Sequence, residues 1–175
     1  MNNSIGHILL ILLNFPRILP HIICYMCSNN RTIIKADLLA RPTYWNLSPK
    51  EKGGMLFRPL CFSLIQEPEF RNIFYHRIGF ARHFLNVLLP RISSMRLCSH
   101  IGPGFYPVHS YSTIINGRAR IGKNCSVMHN VTIGIGKGGV PTIGDNVHIG
   151  AGAIILGGIT IGNNVRIGAG AIVVE

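Results

Sequence analysis

Residues 142–174 read TIGDNVHIGAGAIILGGITIGNNVRIGAGAIVV. An aliphatic residue recurs at every sixth position: Ile143, Ile149, Ile155, Ile161, Ile167 and Val173. Upstream, Ile115, Ile121, Val127 and Ile133 keep the same step. A strand repeats at two and a helix at 3.6, so neither produces a period of six. Short extended segments that each end in a corner do produce it. Three such sides close one coil, and coils stack into a parallel β-helix. The Ile/Val position fills the interior. Position five is compact or β-branched throughout (Ala119, Cys125, Val131, Val147, Ala153), as a site beside a corner demands. Gly occupies position two at Gly122, Gly134, Gly144, Gly150, Gly162 and Gly168, where it is expected to relax the backbone of the corner.

Two interruptions of the period mark insertions. Four extra residues fall between Ile133 and Ile143, within GIGKGGVPT (134–142). Two extra residues fall between Ile101 and Ile115, around a hexad that starts at Pro107. A stacked coil accepts insertions only at its corners, and solenoids place binding groups on such loops. Counted from Pro107, His109 takes position three. The same position one coil on is His129, then Ala151, then Ala169. This count stacks two histidines above a line of small residues that could seat a thin ligand.

Outward from the repeat the chain changes character. Sixteen of the 20 Gly lie after residue 100. Of the net charge of +11, most lies before it. An excess of cations calls for an anionic partner, but no nucleic-acid motif accompanies it and only five basic residues lie in the repeat region. The five Cys form no disulfide framework, and a reducing, cytoplasmic compartment is expected. Cys24-x-x-Cys27 reads as two buried thiols on a helix. Residues 67–88 show helical spacing (Phe70, Ile73, Phe74, Ile78, Ala81, Phe84, Leu85, Leu88), opened by Glu67-Pro68 and stopped by Pro90. Arg71, His76, Arg77, Arg82 and His83 read as its solvated face, and Pro42, Pro49 and Gly53-Gly54 as loops before it. Residues 5–24 are apolar enough for a membrane span by length, but Pro16, Arg17, Pro20 and His21 argue against one. No signal-peptide pattern is present. This stretch is expected to pack on the protein or on a second subunit, with peripheral membrane contact as the alternative. Arg31, Lys35 and Arg41 come too late to make its own polar face basic.

The segments 100–134, 136–139 (GKGG) and 142–174, with EPEFRNIFYHRIGF (67–80) upstream, resemble the hexapeptide-repeat acyltransferases. The branch is that of the serine acetyltransferases and their polysaccharide-modifying cousins, and the resemblance covers about 60% of the chain. It implies a left-handed parallel β-helix (97–175) preceded by a small α-helical N-terminal region (1–95). It also implies acetyl-CoA as donor, and a homotrimer or trimer-based hexamer with active sites between subunits. His109 is then the catalytic base. Glu67 and His129 bind the acceptor, and Gly134, Lys137, Ala151, Arg166 and Ala169 line the CoA groove. The histidines His109, His129 and His148 are spaced too widely for the metal site of related prisms, so none is expected. Family positions that grip an amino acid are altered here. Val140, Val108, Ser94 and Gly117 stand where the serine enzymes carry His, Asp, Asp and Glu. The acceptor is therefore left open between L-serine and a saccharide hydroxyl. A non-enzymatic prism serving only assembly is the other reading. The chain stops at Glu175, two residues into a coil side, and reads as an incomplete frame.

Overall fold

The computed structural model describes residues 4–41 and 56–174. The loops expected at Pro42, Pro49 and Gly53-Gly54 lie outside the described residues. The chain forms two compact units, Met1–Arg91 and Ile92–Glu175.

The second unit is a parallel β-helix of about four coils. Its twelve strands are β1 (His100–Ile101), β2 (Tyr106–Pro107), β3 (Ile114–Ile115), β4 (Arg120–Ile121), β5 (Ser126–Val127), β6 (Thr132–Gly134), β7 (Thr142–Ile143), β8 (His148–Ile149), β9 (Ile154–Leu156), β10 (Thr160–Ile161), β11 (Arg166–Ile167) and β12 (Ile172–Val173). They form three parallel sheets, β1-β4-β7-β10, β2-β5-β8-β11 and β3-β6-β9-β12. The aliphatic ladder is in register: Ile121 pairs with Ile143, Val127 with Ile149, and Ile133 with Ile155. All six are buried, as are Ala119, Cys125, Val131, Val147 and Ala153 at position five.

The glycines act differently from expectation. Positive φ falls on position four, not position two: Asn124, Asn130, Asn146 and Asn164 have φ of 54–61°. Asn tolerates this left-handed region better than other side chains do. It also forms a ladder here. Asn124 Nδ2 donates to Asn146 Oδ1 at 3.3 Å, and Asn146 Nδ2 to Asn164 Oδ1 at 3.0 Å. Gly122, Gly144 and Gly150 at position two are needed for close approach between coils. A Cβ on Gly122 would lie 2.5 Å from the carbonyl oxygen of Gly144.

The first unit holds five α-helices among its described residues: α1 (Ser4–Cys27), α2 (Arg31–Leu39), α3 (Phe57–Gln66), α4 (Pro68–Ile78) and α5 (Arg82–Leu88). Ile18, Leu60, Leu64, Phe70, Phe74 and Leu85 meet in one core. The single helix expected over 67–88 is broken. Gly79 ends α4 at φ 67°, a short 3₁₀ turn (Gly79–Ala81) follows, and Phe84 faces outward. Glycine adopts this φ at no steric cost, so the apolar spacing runs through a change of direction.

Arg71 and Arg77 are not solvated-face residues. Arg71 Nη1 donates to the carbonyls of Leu64 (2.8 Å) and Ile65 (3.0 Å), capping the C-terminal end of α3. Arg77 forms a two-pronged pair with the buried Asp37, Nε to Oδ2 at 2.8 Å and Nη2 to Oδ1 at 3.2 Å. His76 is half-buried, and burial pulls its pKa down to about 4. Cys24 is half-buried but Cys27, the last residue of α1, is exposed, so the two thiols are not both internal.

Candidate functional site

The corner joining the sheet of β2, β5, β8 and β11 to that of β3, β6, β9 and β12 carries the predicted histidines. Backbone hydrogen bonds fix the rungs. Val108 N donates to Val127 O at 2.8 Å, and Met128 N to Ile149 O at 3.1 Å. One step on, Gly170 N donates to Ala151 O (2.8 Å), Gly152 N to His129 O (3.0 Å) and Asn130 N to Tyr111 O (3.0 Å). His129, Ala151 and Ala169 therefore form one column, as the hexad count expects. The rung above His129, however, is Tyr111.

His109 is thus not position three. His109 and Ser110 are the two extra residues of the coil and loop out between Val108 and Tyr111. Counting from Pro107 could not show this, because spacing gives the size of an insertion but not which residues leave the ladder. The bulge is built by its own chemistry. His109 has φ 45° and is exposed. Its carbonyl accepts Tyr111 N–H at 2.8 Å. Ser110 turns inward, fully buried, with Oγ 3.2 Å from Met95 Sδ. Ser94 Oγ accepts the N–H of Ser112 at 3.3 Å, and Thr113 Oγ1 donates to Met128 O at 2.9 Å. The backbone is pinned on both sides while the His109 imidazole has no hydrogen-bond partner among the described residues. A base free to meet a substrate hydroxyl is what such a mount supplies.

The insertion after β6 closes on itself. Gly136 and Gly139 exchange backbone hydrogen bonds at 2.9 and 3.2 Å, with Gly138 at φ 73° and Gly139 at φ 127°. Lys137 O accepts Gly158 N–H at 2.8 Å, which lays the loop on the next coil. A side chain at Gly158 would meet Gly138 O at 2.4 Å. Lys137 itself is exposed.

Topology sorts the predicted residues into separate places. His109, His129, Ala151 and Ala169 share one edge of the prism. Gly134 and Lys137 sit at the next edge, across the sheet of β3, β6, β9 and β12. Arg166 stands on β11, paired in register with His148 of β8. Glu67 belongs to the N-terminal unit, where it precedes α4 and forms an ion pair with Arg41.

The sequence reading missed two features. Tyr111 takes the rung over His129, and its place after the two-residue insertion is the only signal that could have shown it. Ser126 Oγ lies 2.7 Å from His148 Nδ1. Both occupy position six, so the hexad phase already puts them on one face, on adjacent strands.

The sequence model described as "Bacterial transferase hexapeptide (six repeats)" matches residues 141–174. Serine acetyltransferase 3, mitochondrial, of Arabidopsis thaliana is 46% identical over 64 residues, 34% of this chain and 16% of that protein. Probable serine acetyltransferase 1 of Oryza sativa is also 46% identical over 64 residues, 34% of this chain and 21% of the relative. Among solved structures, Neisseria gonorrhoeae serine acetyltransferase in complex with serine superposes with a TM-score of 0.62 at 30% identity. The match covers 83% of this chain and 62% of that one. The Brucella abortus enzyme in complex with coenzyme A gives 0.58 at 25% identity, over 85% and 62%. The chain thus spans about three fifths of the length of these two structures.

Fold and repeat define the second unit as a parallel β-helix, and hexapeptide repeats of this kind imply the left-handed form. The relatives and solved structures that it resembles are serine acetyltransferases.

Proposed function

We propose that the chain transfers an acetyl group from acetyl-CoA directly to a hydroxyl, with His109 as general base. The observation that carries this reading is the bulge. An exposed imidazole without a partner is held on a pinned backbone, at an edge that continues as Ala151 and Ala169. His109 takes the proton of the acceptor hydroxyl as its oxygen attacks the thioester carbonyl. A tetrahedral oxyanion forms and collapses, the C–S bond breaks, and the thiolate of CoA receives the proton from the imidazolium. No Ser or Cys nucleophile is needed.

The small residues at Ala151 and Ala169, flanked by Gly150, Gly152, Gly168 and Gly170, leave a smooth edge for the pantetheine arm. Arg166 offers a charge to the CoA phosphates. Lys137 and Gly134, on the next edge, join the same site from a second copy in a trimer. Val140, Val108, Ser94 and Gly117, at positions where the serine enzymes carry His, Asp, Asp and Glu, support a saccharide hydroxyl over L-serine. The test is release of free CoA thiol from acetyl-CoA against serine and a panel of saccharides. Saturable turnover with serine alone overturns the acceptor, and absence of CoA binding by calorimetry overturns the enzyme in favour of a structural prism.

A further inference from the structure

The N-terminal unit presents an outer surface that is apolar and cationic together. On α1, Ile18, His21 and Ile22 are buried against the core. The opposite face, Leu9, Leu12, Leu13, Leu19, Ile23 and Met26, is exposed, with Leu13 at 73%. Beside it, Phe80, Phe84 and Val87 are 88%, 71% and 79% exposed. The two rows adjoin: Arg17 of α1 donates through Nε (3.0 Å) and Nη2 (2.8 Å) to the Leu88 carbonyl at the end of α5. A soluble surface rarely leaves so much large apolar side chain uncovered without an occupant.

The exposed charges of the unit choose the occupant. Arg31, Arg58, Arg82 and Arg91 are exposed. The acids that could balance them are spent elsewhere: Asp37 is buried with Arg77, and Glu67 is paired with Arg41. Among the described residues of the unit only Glu69 remains. Two copies meeting through this face would bring like charges together with only Glu69 to match them among the described residues. An anionic lipid surface satisfies both halves of the pattern, taking the apolar side chains into the acyl boundary and the guanidinium groups at the phosphates. The basic residues come from α2, α3, α5 and the segment after it, not from the polar face of α1, which is why α1 read alone gave no such signal. We propose that this face docks peripherally on an anionic phospholipid membrane. Helix α1 lies in the plane of the interface, since one of its sides is committed to the core.

The proposal is independent of the transferase reading, because its test measures binding. The full chain is sedimented with vesicles of phosphatidylcholine alone or mixed with phosphatidylglycerol. Binding to the mixed vesicles is expected to be at least about tenfold tighter, and to weaken in high salt. Phe80→Ser with Phe84→Ser changes only exposed side chains, so far-UV circular dichroism is expected to be unchanged. That variant is expected to lose vesicle binding by about tenfold or more. Arg82→Glu with Arg91→Glu is expected to weaken only the phosphatidylglycerol-dependent part, by roughly fivefold or more per residue. Two results overturn the proposal: no binding to the mixed vesicles, or a Phe80/Phe84 variant that binds them unchanged while its mass by light scattering drops, which would assign the face to a second copy.

Discussion

The two units of this chain hold themselves together by opposite means. In the β-helix the backbone does most of the work. Rung after rung, each N–H meets a carbonyl of the neighbouring coil, and the interior is a ladder of Ile and Val. Among its described residues, none that is buried carries a charged side chain. In the helical unit each helix satisfies its own backbone, so the junctions between helices fall to side chains. Asp37–Arg77, Arg41–Glu67, Arg71 on the end of α3, and His21 between the Arg17 carbonyl and the Tyr75 hydroxyl all serve such junctions. Repetition spreads stability over many equivalent small terms. Unique polar junctions concentrate it in a few large ones.

The contrast can be tested from its strongest consequence downward. The largest effect is functional and belongs to the one irregular corner of the regular unit. His109→Ala is expected to lower kcat by roughly 10²–10⁴ with little change in CoA affinity. Loss of turnover in His129→Ala, with His109→Ala unaffected, would move the base onto the ladder and remove the role of the bulge.

Next is the helical unit's ion pair. Asp37→Ala leaves the Arg77 guanidinium in a buried position without its partner, and is expected to cost about 3–5 kcal/mol. Thermal or urea unfolding measures this, and a loss below 1 kcal/mol would show that the unit does not depend on such pairs.

The pH dependence follows. Burial lowers the pKa of His21 from 6.5 to about 4. The unfolded chain therefore binds the proton first. The stabilisation is complete above pH 6.5 and is lost as pH falls toward 4, at up to roughly 1.4 kcal/mol per pH unit from this residue. His76 acts in the same direction. Urea midpoints between pH 7 and 4 are expected to fall most for the helical unit. A midpoint that stays level over that range, or falls equally in a His21→Gln variant, removes His21 as the cause.

The smallest effect is on one rung of the ladder. Asn146→Ala places a residue without a polar side chain at φ 57° and removes two side-chain hydrogen bonds. It is expected to cost about 1–2 kcal/mol. A loss as large as that of Asp37→Ala would mean that the corners, and not the interior, hold the β-helix.

The same difference governs what could be read in advance. The coils, their interior residues and the column His129–Ala151–Ala169 were legible, because each depends on residues a fixed six positions apart. The helical unit was legible only in part. Its apolar spacing from Phe70 to Leu88 was visible, yet the break at Gly79 was not, since one glycine redirects a helix without disturbing the period. Arg77 looked solvated because the acid that binds it, Asp37, lies 40 residues away in sequence.

The sequence alone determined the period, and with it the fold, the interior and the two corners where the chain must depart from regularity. A repeat states its own geometry, since every unit must meet the same neighbours. Only the tertiary structure decided that His109 and Ser110 are the residues that leave the ladder, that Tyr111 takes the rung they vacate, and that Glu67 is held by Arg41. Those outcomes depend on which side chains find a partner across space: Ser110 against Met95, Arg41 against Glu67. Residue spacing does not encode that choice.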